Sequence, residues 1–210
     1  MGRIAATILL ERGSEVGLKG KLAMTLQSRL SPLSEEQMDE SQRAVLREII
    51  SGPRGNLDGP FLAWIHSPEL ANHAQKLGAF CRYGTRLELR LTELAILVTA
   101  AWWQSQAEWQ IHEPIARSAG VSDSIIESLK QQVLPEFQQD DERIVYRLGR
   151  ALYEHRRVDD ALYTDAVSTL GEPAVVELIG VYGYYAFVAM TLNVFAVRRD
   201  GDAPLPFPEP

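Results

Sequence analysis

The stretch Thr92-Glu93-Leu94-Ala95-Ile96-Leu97-Val98-Thr99-Ala100-Ala101-Trp102-Trp103-Gln104-Ser105-Gln106-Ala107-Glu108-Trp109-Gln110-Ile111-His112 decides both the fold class and the chemistry. Thr92 opens a helix with Glu93 in its first turn. Leu94, Leu97, Val98, Ala101 and Trp102 then recur at helical spacing. The pattern continues through Trp109, Ile115 and Ala116 to Gly120, a C-terminal stop. Ser105, Glu108 and His112 stand at i, i+3 and i+7, so a continuous helix puts them on one stripe. Glu93 lies about four turns before Glu108. A bend or break near Gln104 would aim both carboxylates at one pocket.

The flanking sequence is helical as well. Ser34-Glu35-Glu36-Gln37 has the shape of a capping box and predicts a helix to about Ile50. The Gly/Pro-dense run Gly52 to Pro60 ends it. Ser67-Pro68 starts a second helix, with Pro at the first helical position and Gly84 as its stop. Ser122-Asp123 starts a short one that Pro135 limits. Gln138 to Arg157 is amphipathic: Ile144, Val145, Leu148 and Leu152 face in, and Arg143, Arg147 and Arg150 face out. Asp159 to Leu170 is another helix. The last, from Glu172-Pro173 to about Val197, is apolar nearly all round and belongs in a core or at a subunit contact. No apolar run alternates cleanly and no hairpin dipeptide appears, so no strand is expected. The reading is an all-α single domain of about eight helices over residues 31–199. Residues 1–30 read as a leader or flexible segment, and 200–210 as a Pro-rich tail.

Composition excludes several functions. With 46% hydrophobic and 23% charged residues, the chain is an ordinary globular one. Its net charge of −7 argues against a nucleic-acid partner, which needs excess Lys and Arg on one face. No apolar run of membrane length is free of polar groups, so no membrane partner is expected. One cysteine, Cys81, excludes an intramolecular disulfide, a CxxC pair and a Cys-based zinc site, and suits a cytoplasmic setting.

Few reactive groups remain. The sequence has no GxGxxG, no GxxxxGK[ST] and no GxSxG, so the dinucleotide, P-loop and serine-hydrolase signatures are missing. Glu108 and His112, four apart on a helix, are expected to touch, the carboxylate orienting the imidazole for acid–base work. Trp102, Trp103 and Trp109 would border and dry the stripe. Di-iron bundles draw Glu-x-x-His from two helices, whereas this chain has Glu-x-x-x-His once, so no metal is expected. His66 and His73 read as satisfied histidines at contacts, and His155 as exposed.

The run Thr92 to Leu97, then Ala107-Glu108-Trp109, His112, Ala116 and Ala119-Gly120-Val121-Ser122, resembles the carboxymuconolactone decarboxylase family, which includes the alkylhydroperoxidase D-like proteins. Upstream, Gly59-Pro60-Phe61 and His66-Ser67-Pro68-Glu69-Leu70 resemble its members too. The resemblance spans roughly residues 33–206, with its core at 90–122. It implies antiparallel helices, a homo-oligomer (trimer or hexamer) and a site at the motif. In the peroxidase branch the order is Glu, Cys-x-x-Cys, then His four residues on. Here Glu93 and His112 match, but Ser105 and Glu108 hold the cysteine positions, so dithiol chemistry is not expected. The decarboxylase branch, which lacks the dithiol, implies a cofactor-free lyase or isomerase moving a proton at carbon on a small organic acid or lactone. His112 would be the proton donor, Glu108 its orienter and Glu93 a second relay. Arg90 would hold a substrate carboxylate, with Ser105 and Trp109 also binding substrate. Tyr182, Tyr184 and Tyr185 would line the pocket or pack the core. The alternatives are a non-catalytic, ligand-binding paralogue and a residual peroxidase-like activity through Cys81.

Overall fold

The computed structural model describes residues 5–6, 26–52, 55, 57, 59–199 and 204–209. Among them, nine α-helices form: α1 (Glu40–Ser51), α2 (Phe61–Trp64), α3 (Pro68–Tyr83), α4 (Leu89–Trp103), α5 (Gln106–Ala119), α6 (Asp123–Lys130), α7 (Asp140–His155), α8 (Asp160–Leu170) and α9 (Glu172–Val194). Every residue of α4 from Leu91 to Ala101 is buried. A helix apolar on all sides must be wrapped by others. Accordingly α4 lies against α3, α5, α6, α7 and α9, while α8 rests on α7 and α9.

Local signals set most helix ends. Ser67 stands at the N-cap position of α3 without a side-chain capping bond, Pro68 takes the first helical position, and Gly84 ends the helix. Ser122 Oγ accepts the Ile125 N–H at 3.3 Å to start α6, and Asp159 accepts the Leu162 N–H at 2.8 Å to start α8. The first helix departs from expectation. The Ser34/Gln37 box closes only a 3-10 turn, Glu35–Gln37. Asp39 then caps α1 by accepting the Gln42 N–H at 2.8 Å, and Gln42 returns the bond to the Asp39 N–H at 2.9 Å.

Three two-residue strands, β1 (Ala5–Ala6), β2 (Leu26–Gln27) and β3 (Arg198–Arg199), pair antiparallel in that order. Strands this short carry no alternating pattern, which is why the sequence shows none; the fold remains all-α. Beyond them, the readings for residues 1–30 fall largely outside the described residues. In the tail, Phe207 is buried and Gln106 bonds it twice through its side-chain amide, to the carbonyl at 2.7 Å and from the N–H at 3.0 Å.

Among the described residues α9 is the one helix long and apolar enough to cross a membrane by length and composition. Here it packs on α3, α4, α5 and α8, with Leu178, Val181 and Leu192 fully or almost fully buried. Its outer side exposes Val176, Ile179, Met190 and Val194.

Candidate functional site

The expected break at Gln104 is present, and it builds the site. Gln104 takes a left-handed conformation (φ 49°, ψ 41°). The Ser105 N–H then reaches the Ala100 carbonyl at 2.9 Å and the Gln104 N–H reaches that of Ala101 at 3.3 Å. This is the double closure of a Schellman turn, made with a non-glycine residue. The chain reverses, and α5 returns along α4 so that the Glu93 and His112 faces meet.

Glu93 and His112 are in direct contact. Glu93 Oε2 lies 2.8 Å from His112 Nδ1; the carboxylate is fully buried and the imidazole 5% exposed. With Glu93 ionised its oxygen can only accept, so Nδ1 is the donor in this contact and Nε2 stays clear of it. Tyr185 of α9 stands edge-on to the imidazole at 5.2 Å and 88°, bracing it from a third helix. This corrects the expectation that Glu108 orients His112. The i, i+4 spacing allows that contact, but the hairpin supplies another carboxylate whose geometry is better.

Glu108 is 1% exposed, and neither of its oxygens has a hydrogen-bond partner. Burial pushes its carboxyl well above the usual range, which favours the protonated form. The Ser105 hydroxyl lies near enough to ease a charge there, yet makes no bond of proper geometry. Ser105-x-x-Glu108 has the form of a capping box, in which Glu108 would accept the Ser105 N–H. That N–H is already used by Ala100, so the box stays open. Glu93 Oε1 is likewise buried without a partner. Orphaned buried polar atoms are rare and costly in folded proteins. Here Ser105 Oγ and both Glu108 oxygens lie on the stripe that carries the histidine, and Glu93 Oε1 belongs to the carboxyl that holds its ring.

Arg90, one turn before Glu93, is not available to a substrate. It is bound to Asp141 at 2.7 Å and Glu142 at 2.8 Å, with Glu88 at 3.7 Å. The acidic first turn of α7, placed there to complement the helix N-terminus, captures it. Trp109 is fully buried, its N–H donates to Glu113 at 2.8 Å, and its ring meets Phe207 edge-on. Its hydrogen-bonding capacity is therefore spent on structure. Trp102 faces outward, stacked on Tyr153 under Arg150. Tyr182 serves the core, donating to the Val145 carbonyl at 2.6 Å. His66, His73 and His155 are exposed in this chain. Cys81 is buried on α3, away from this stripe, and burial pushes its thiol up to about 11. Among the described residues no group of three His, Cys, Asp or Glu side chains is arranged to hold a metal ion.

No family model matches the chain, and no curated protein matches it. A solved structure does: the alkylhydroperoxidase AhpD core of an uncharacterized peroxidase-related protein from Ralstonia eutropha JMP134. The likeness has a TM-score of 0.68 and covers 82% of this chain and 92% of that one, at 12% identity. The helices that bring Glu93 to His112 are thus arranged in the alkylhydroperoxidase D-like fold.

Proposed function

We propose that the protein is a carboxymuconolactone decarboxylase-like lyase or isomerase that moves a proton at carbon on a small organic acid or lactone without a cofactor. The observation that carries this reading is a buried Glu93–His112 pair beside a buried, unpartnered Glu108. An imidazole held by one buried carboxyl, with a second, unpartnered carboxyl one turn away on its own helix, offers a base and an acid in one place. His112 Nε2, with Glu93 on the other nitrogen, acts as base and proton carrier. Glu108, kept neutral by burial, donates to oxygen as negative charge develops there. Glu93 takes the orienting role that the sequence suggested for Glu108.

The structural neighbour is described as peroxidase-related, which favours a second reading, peroxide reduction. In this chain that route falls to Cys81, whose thiol is buried and pushed up to about 11, so little thiolate forms near neutral pH. Steady turnover of an organic peroxide, abolished by Cys81→Ser, would establish the second reading over the first. The first is tested by screening lactones and keto acids with wild type and His112→Ala. Turnover that depends on His112 supports it, and turnover indifferent to His112 contradicts it. The exposed apolar side of α9 supports self-association as a homo-oligomer. Sedimentation showing only monomer at micromolar concentration would refute that part.

A further inference from the structure

Resting on the isomerase form of that reading, we infer that the site selects an uncharged carbonyl compound, a ketone, ester or lactone, over a carboxylate, and that its reaction is enolisation at the carbon beside the carbonyl. The inference comes from what surrounds the two carboxyls. Among the described residues no lysine or arginine is ion-paired with Glu93 or Glu108; the one titratable partner is His112, on Glu93 Oε2. Arg90, the cation closest along α4, is committed to Asp141 and Glu142. A substrate carboxylate would therefore enter as a third carboxyl, with no lysine or arginine among the described residues left to receive it. Bringing an unpaired charge into such a place is costly.

A carbonyl oxygen meets the opposite situation. Neither Glu108 oxygen has a partner in the protein, and Ser105 Oγ beside them has none either. A carbonyl oxygen supplies what they lack and adds no charge. The step then balances within the site. His112 Nε2 takes the proton from the carbon next to the carbonyl. The C–H electron pair becomes the C=C bond, and the carbonyl π pair moves to oxygen, where the Glu108 O–H holds it. Return of a solvent-derived proton from the imidazolium to carbon regenerates the carbonyl compound, at the same carbon or at one conjugated with it.

Three probes share one carbon skeleton: levulinate, its methyl ester, and α-angelica lactone. Hydrogen–deuterium exchange at their α-carbons, followed by proton NMR in D2O, reads the step directly. The expected result is exchange of the ester and the lactone about 10- to 10³-fold faster than levulinate, above the uncatalysed rate and lost in His112→Ala. Glu108→Gln, which keeps an N–H donor, should retain the preference. Glu108→Leu should lose about 10²–10³ on the uncharged probes, the scale for removing one oxyanion donor, with helicity by circular dichroism unchanged. Fastest exchange on levulinate, still dependent on His112, would overturn this inference and leave the acid–base reading standing. Exchange on none of the three that depends on His112 would overturn both.

Discussion

Two charged clusters sit about one turn apart on α4, and they are finished differently. At Arg90 the guanidinium is held by two carboxylates of α7, and Asp141 beside it keeps it firmly protonated. At Glu93 one oxygen holds His112 and the other is bare, while Glu108 across the hairpin has no partner at all. The first cluster has the order of a structural clamp between α4 and α7. The second retains unused hydrogen-bonding capacity where burial makes that capacity expensive. A fold tolerates such a deficit where a ligand supplies the missing partners, and stability is given up for activity.

The contrast breaks first at the histidine. His112→Ala should lower the rate on any substrate found by about 10²–10⁴, the usual scale for a positioned acid–base group, while the helical circular dichroism signal persists. A variant with wild-type rates would move the Glu93–His112 pair into the same structural class as Arg90. The next largest effect belongs to the clamp. Arg90→Ala leaves Glu142, 3% exposed, as an uncompensated charge. It should cost about 3 kcal/mol or more in urea unfolding. Where the variant remains folded, the preference among substrates should be unchanged. A shift in that preference would restore Arg90 to the binding role the sequence suggested.

Much of this arrangement is legible in the sequence, and the rest is missing for identifiable reasons. Ser67-Pro68 and Gly84 bound α3 because caps act within a turn or so of the residues that make them. The stripe Ser105, Glu108, His112 is visible because a helix repeats locally. Which carboxylate meets His112 is a tertiary matter. It depends on the hairpin register set at Gln104, and glutamine is not a residue that ordinarily announces a left-handed turn. The capture of Arg90 depends on Asp141 and Glu142, which lie a whole helix pair away along the chain. Two successive box patterns, at Ser34 and at Asp39, compete for the start of α1. Sequence order favours the first, whereas the packed helix uses the second. Tyr185 sits among several apolar and aromatic neighbours on α9, and nothing in that run separates the ring that braces the histidine from those that only pack.

The smallest expected effect tests the central claim most directly, because its sign is opposite to that at Arg90. Glu108 holds its proton more tightly in the folded chain than in the unfolded one. Its contribution to stability is therefore fully present below the unfolded value of about 4.3 and is lost as pH rises through the folded value. Glu108→Gln has no proton to lose. Urea unfolding of wild type and Glu108→Gln at pH 5 and pH 8 should show the variant gaining on wild type as pH rises. The gain should approach about 1.4 kcal/mol for each pH unit through which the folded Glu108 stays protonated after the unfolded one has ionised. A variant less stable than wild type by the same amount at both pH values would contradict the account and make Glu108 part of the structural frame.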